Sequence, residues 1–169
     1  MTPLQGIAMG LVIVLVDAPF GGYDGVPDPA GWLLVLWGLA RLRAVPAQRG
    51  GLLVLAVLCL VVSVATYPPQ VSERLDASGG WALSLPQLAF CVALASALGP
   101  VAASLEGRLR VMRAVFVALA IAPAVVIGGD LDALRSPLAL VVAAANVYFV
   151  YLLFQASGRV TPQAGSPQT

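Results

Sequence analysis

Histidine and lysine are both absent from these 169 residues, and charged side chains make up only 10% of them. Without histidine there are no Ser-His or Cys-His nucleophile pairs, no imidazole relays and no histidine-bearing metal sites. A phosphate-cradling loop and a dinucleotide-binding glycine fingerprint are missing as well, so ordinary enzymology has little to stand on. The scarcity of charge excludes more. A water-soluble domain coats itself with about 25% charged residues. This chain is 60% hydrophobic with a mean hydropathy of +0.94, so lipid must solvate most of its side chains. The nine basic residues form no tail or block of the kind that binds nucleic acid. The two cysteines, Cys59 and Cys91, lie far apart inside apolar runs and read as small hydrophobes rather than a disulfide framework.

What is present is a series of apolar runs: Leu4 to Phe20, Pro29 to Leu42, Gly51 to Tyr67, Trp81 to Ser104, Val111 to Gly128 and Pro137 to Ala156. A membrane-crossing helix needs about 20 residues, with about 17 as a practical minimum. The second run falls short unless Arg41 and Arg43 snorkel and extend it by a turn. In the fourth, Pro86 and Pro100 are placed to kink the helix or trim its ends. The first run lacks a positive leader and a small-residue cleavage site, so it is expected to be retained as a helix.

Orientation follows from arginine. Arg41, Arg43, Arg49, Arg108, Arg110, Arg113 and Arg159 fall in one set of breaks and only Arg74 and Arg135 in the other, seven against two. By the positive-inside rule both termini are cytoplasmic. Asp24, Asp28, Glu73, Asp76, Asp130 and Asp132 mirror this on the outer side, with Glu106 alone inside. The expected fold is therefore an all-α membrane protein of six transmembrane helices arranged as three hairpins. Residues 1–156 form the polytopic domain and 157–169 a polar, disordered cytoplasmic tail.

Local signals mark the helix ends. Asp28-Pro29 and Ser136-Pro137 pair an N-cap with proline at the first helical position. Tyr67-Pro68-Pro69 and Gly128-Gly129 are stops. Trp32, Tyr67 and Trp81 stand where aromatic rings anchor at headgroup level. In lipid, helices associate by close contact through small residues. Alanine recurs every fourth position at Ala89, Ala93 and Ala97 and again at Ala114, Ala118 and Ala122, so the fourth and fifth runs are expected to pack along these stripes. Gly6 and Gly10 form a GxxxG pair in the first run, while Gly31 and Gly38 share a face of the second.

Chemistry concentrates in the elbow between the first two runs. Asp17, a turn inside the outer end of the first, is by default a cation or proton site, because an intramembrane carboxylate is costly. The plainer reading, preferred here, is that it accepts hydrogen bonds from the elbow backbone. Asp17, Asp24 and Asp28 around a glycine-rich turn also offer oxygen ligands for a hard cation, but their spacing departs from the calcium-loop pattern and solvated turn acids account for them. No metal or cofactor is expected. Asn146, central in the sixth run, reads as interhelical glue, or with Tyr148 and Tyr151 as the lining of a polar path.

The elbow, Asp17 followed by Gly22-Tyr23-Asp24-Gly25-Val26-Pro27-Asp28-Pro29-Ala30-Gly31-Trp32-Leu33-Leu34 and closing at Gly38-Leu39, resembles a pattern in small uncharacterised bacterial multi-pass membrane proteins. There an aromatic-Asp-x-x-Pro-Asp-x-x-Gly-aromatic turn joins the first two membrane helices. The match covers Tyr23, Asp24, Pro27, Asp28, Gly31 and Trp32; where that family has an Arg shortly after the first Asp, this chain has Ala18-Pro19. The resemblance implies topology and an important elbow, in the bacterial inner membrane, and no activity. Short loops leave little surface for a soluble substrate. The first expectation is a non-enzymatic accessory, assembly or scaffold subunit that meets other membrane proteins, besides the lipid bilayer, through small-residue faces. The second is a small transporter or channel component using Asp17 and Asn146. A third is an intramembrane enzyme using Asp24 and Asp28 on lipid-linked substrates.

Overall fold

The computed structural model describes residues 1–16, 19–20, 23–24, 28–72, 75–129 and 131–160. Among them the chain is helical: α1 Pro3–Leu15, α2 Asp28–Arg41, α3 Arg49–Thr66, the single turn α4 Pro69–Ser72, α5 Ala77–Leu98, α6 Glu106–Gly128 and α7 Arg135–Val160. The exceptions are two 3-10 turns and a minimal antiparallel ribbon, in which β1 Pro19–Phe20 pairs with β2 Tyr23–Asp24. Four helical stretches, Arg49–Thr66, Ser78–Leu98, Ala103–Gly128 and Ser136–Gly158, are long and apolar enough to cross a membrane.

The helix ends follow from capping chemistry. Thr2 opens α1 with a reciprocal capping box: its hydroxyl accepts from the Gln5 N–H at 3.2 Å, and the Gln5 carbonyl oxygen accepts from the Thr2 N–H at 2.9 Å. Asp76 caps α5 through the Gly79 N–H at 2.7 Å, so that helix starts four residues before Trp81. It ends at Leu98 rather than Ser104, since Gly99-Pro100 turns the chain away, while Pro86 is carried inside it. Helix α1 ends at Leu15, well before Phe20, because Pro19 belongs to the extended ribbon. At the other terminus α7 continues to Val160, so the start of the expected tail is helical and Ser157 is buried; 161–169 lie outside the described residues.

The long helices form a closed ring. Each packs on the next in chain order, α1 on α2, α3, α5, α6 and α7 in turn, and α7 returns to α1. Directions follow from specific contacts. Gly38 meets Pro3 and Ile7 while Gly31 meets Ile13 and Val14, so α1 and α2 are antiparallel. Trp81 donates its indole N–H to the Ala120 carbonyl at 3.0 Å, near the far end of α6, which runs antiparallel to α5. Arg108 reaches Gln155 and Phe116 meets Phe149, fixing α6 antiparallel to α7.

The core is aromatic and aliphatic: Trp32, Phe90, Phe116 and Phe149 are its largest fully buried side chains. Trp32 meets Phe90 edge-to-face (centroids 5.3 Å, 84°), and Phe116 meets Phe149 the same way (5.2 Å, 81°). Outside this core the helices turn large apolar side chains away from the protein. Helix α3 buries only the stripe Leu52, Ala56, Cys59 and Ser63, and α6 only Leu109, Met112, Phe116, Leu119 and Val126. Val54, Val61, Val111, Ile121 and Leu140 all face outward. Water would penalise such a surface heavily, whereas hydrocarbon solvates it at no cost.

Candidate functional site

The first two helices approach each other backbone to backbone, and the approach is built on glycine. A Cβ placed on Gly10 would stand 2.5 Å from the Gly31 carbonyl oxygen and 2.9 Å from the Val35 nitrogen. One on Gly31 would stand 2.6 Å from the Gly10 oxygen, and one on Gly38 2.7 Å from the Pro3 oxygen. These neighbours are main chain and cannot swing aside, so only hydrogen fits at each position. Gly6 completes the row by receiving the Trp37 ring, with Cζ3 3.0 Å from where a Cβ would lie. Among the described glycines, the close interhelical contacts are therefore between α1 and α2. Helices α5 and α6 also pack closely, but their alanine stripes are only partly inside. Ala97 is buried and Ala93 and Ala122 half-buried, whereas Ala89, Ala114 and Ala118 are exposed. The larger Leu94, Leu98, Leu109 and Met112 of the same helices are buried.

This hairpin is short. With 13 and 14 residues, α1 and α2 rise about 20 Å each, against about 30 Å of hydrocarbon. Trp32 lies nine positions before Arg41 and Phe90 eight before Leu98, so their ring contact aligns the two helices at their arginine-side ends. From that level α5 runs on for about 12 Å past the start of α2. The ribbon Pro19–Phe20/Tyr23–Asp24 occupies the chain between the two short helices.

The sequence-predicted site residues are thus distributed as follows. Asp17 and Pro27 lie outside the described residues, and for Tyr23 and Asp24 only the strand backbone is described. Asp28 is the first residue of α2 and is half-buried. Gly31 faces Gly10 on α1. Trp32 is not a headgroup anchor. At 1% exposure it is core, because the glycines on α2 draw that helix against α1 and turn the indole inward onto Phe90. Asn146 is 7% exposed, and its Nδ2 donates to the Val142 carbonyl of its own helix at 2.9 Å instead of to a neighbour. Tyr148 and Tyr151 are 41% and 51% exposed and stand ring to ring on the outer face of α7, so they do not join Asn146 along a common path.

Polar side chains elsewhere in the spans also bond back to their own helices. Ser84 donates to Trp81 (2.7 Å), Ser96 to Val92 (2.8 Å) and Thr66 to Val62 (3.0 Å). Among the described residues no three His, Cys, Asp or Glu side chains stand together as a metal site. Cys59 and Cys91 are buried free thiols.

A second polar region, used in the sequence only for orientation, lies at the arginine-bearing end. Arg41 stacks over the Trp37 ring at 4.0 Å, and Arg49 donates to the Ala40 carbonyl, tying α3 to the end of α2. Glu106 and Arg110 form an ion pair at 2.7 Å. Arg108 donates to Gln155 (3.5 Å), which in turn donates to the Tyr151 hydroxyl (2.6 Å). Between the end of α5 and the start of α6 opens a cavity of about 490 Å³, bordered by Ser96, Gly99, Glu106, Leu109, Arg110 and Arg113. The signal for it was present in the chain: a Gly-Pro break followed by Glu106 and Arg110 four apart, with Arg113 one turn on. No protein-family model, no curated protein and no solved structure matches this chain.

Proposed function

We propose that the protein is a multi-pass component of the bacterial cytoplasmic membrane that crosses six times, with both termini inside, and acts as a non-enzymatic accessory, assembly or scaffold subunit. Four apolar helices of spanning length supply four of those crossings. The first two are completed by the α1–α2 hairpin, helix on the arginine side and ribbon on the acidic side. Non-helical backbone at membrane depth is tolerated only where protein or water shelters it. The ribbon's own pairing and the longer neighbouring helices favour that arrangement. The split of the arginines sets the orientation, and the elbow's resemblance to small bacterial membrane proteins agrees with the compartment.

The observation that carries the accessory reading is the direction in which side chains face along the spans. Apolar residues point outward over most of α3 and α6, while Asn146, Ser84, Ser96 and Thr66 spend their hydrogen bonds on their own helices. Such a bundle offers broad surfaces to lipid and to other membrane helices. The transporter alternative rests on Asp17. Proteoliposomes carrying wild type and Asp17→Asn decide between them: the accessory reading expects no solute flux from either, and a flux lost on this substitution would replace it with the transporter. A photo-crosslinker at Val61 or Val117, on the outward faces of α3 and α6, should join the protein to a defined membrane partner in native membranes.

A further inference from the structure

We propose that the cavity between α5 and α6 at the arginine-bearing end binds a phosphodiester anion, presented by the headgroup of an anionic lipid. The charges suit that ligand. Arg110 and Arg113 contribute two positive charges and Glu106 one negative, leaving one net positive charge at the rim (2 − 1) to meet the single negative charge of a phosphodiester. Glu106 pairs with Arg110 through one Nη2 at 2.7 Å, which leaves the other N–H donors of the guanidinium available. Arg113 makes no hydrogen bond or ion pair among the described residues and opens directly onto the cavity. Guanidinium groups match phosphate oxygens in paired, planar geometry, which an ammonium cannot do.

Position supports the lipid as the source. Arg113 lies seven residues into α6, about 10 Å along the helix, where its side chain can reach back to the headgroup layer while its stem stays in hydrocarbon. Beside it, Val117 and Ile121 present an outward apolar face along which acyl chains can lie. Basic pockets between membrane helices on the cytoplasmic side are suited to such headgroups. The inference requires only that the bundle sits in a membrane, and stands whether or not it serves as an assembly subunit.

The test is native mass spectrometry of the delipidated protein in neutral detergent, titrated with phosphatidylglycerol, with phosphatidylcholine of the same chains, with chain-free glycerophosphoglycerol and with inorganic phosphate. Phosphatidylglycerol should bind tightest. Arg113→Gln should weaken it roughly fivefold, the equivalent of one arginine near a membrane surface. Gly99→Leu fills the cavity without touching charge and should weaken it comparably, since a Cβ there meets neighbours only at 3.7 Å and beyond and the fold should accept it. Arg43→Gln, at the same end but away from the cavity, should leave binding unchanged. Equal binding of phosphatidylcholine, or no effect of either cavity variant at unaltered lipid-free melting temperature, would overturn the site. Should Arg113→Gln lower that temperature, Gly99→Leu carries the decision. Inorganic phosphate or the chain-free headgroup binding as tightly as the lipid would overturn the lipid source.

Discussion

The α1–α2 hairpin and the α5–α6 pair solve the same problem in opposite ways. The first brings two backbones together through Gly10, Gly31 and Gly38, where carbonyl oxygens lie closer than any side chain permits. The second buries larger side chains, Leu94, Leu98, Leu109 and Met112, and divides its alanines, with Ala97 inside and Ala114 and Ala118 outside. Both are legitimate in lipid, where association depends on dispersion contacts that either close backbones or interdigitated side chains can supply. The difference lies in tolerance. A glycine contact has no slack, whereas a side-chain interface repacks. The short, glycine-built hairpin is accordingly the less tolerant of the two to substitution, and it is also the part that carries the elbow.

Gly10→Ala and Gly31→Ala should have the largest effect, because each new methyl meets a main-chain oxygen and forces the helices apart. A loss of about 2 to 3 kcal/mol in detergent unfolding titrations is expected. Gly80→Ala and Gly107→Ala, where nothing lies within 4 Å of the new methyl, should instead be neutral or stabilising by up to about 1 kcal/mol. Equal behaviour of the two glycine classes would erase the contrast. Trp81→Phe removes the indole hydrogen bond that joins α5 to α6; a loss of about 0.6 to 2 kcal/mol is expected in the same titration, and no loss would leave that pair held by apolar contact alone. Smallest of all, Ala114→Leu and Ala118→Leu should change stability by no more than about 0.5 kcal/mol, since both positions face outward. A large loss at either would restore the alanine stripes as an interface.

Much of this was legible in the chain and some was not, for physical reasons. The apolar runs and their breaks place every long helix, because backbone groups in lipid must be satisfied within the helix itself. The glycine row on α1 and α2 was visible as spacing, and Pro19 was the readable reason for α1 to end early. The Asp76-to-Gly79 cap was readable too, but it precedes the apolar run, which begins only at Trp81. Facing was not legible. In water, burial sorts a helix into an apolar and a polar side; in hydrocarbon an outward alanine and an inward one carry no different penalty. Periodicity therefore could not tell Ala118 from Ala97. Nor could it send Trp32 into the core or turn Asn146 back on Val142, since both outcomes depend on neighbours supplied by other helices.

The central claim is that the short hairpin nonetheless carries the chain across, so that arginine-bearing turns and the acidic elbow lie on opposite sides. Single cysteines at Asp24 and Arg43, in a background with Cys59 and Cys91 replaced by alanine, can be exposed to a membrane-impermeant maleimide in intact spheroplasts and again after lysis. Labelling of position 24 in intact cells, and of position 43 only after lysis, is the predicted result. Labelling of both positions from the same compartment would contradict the account.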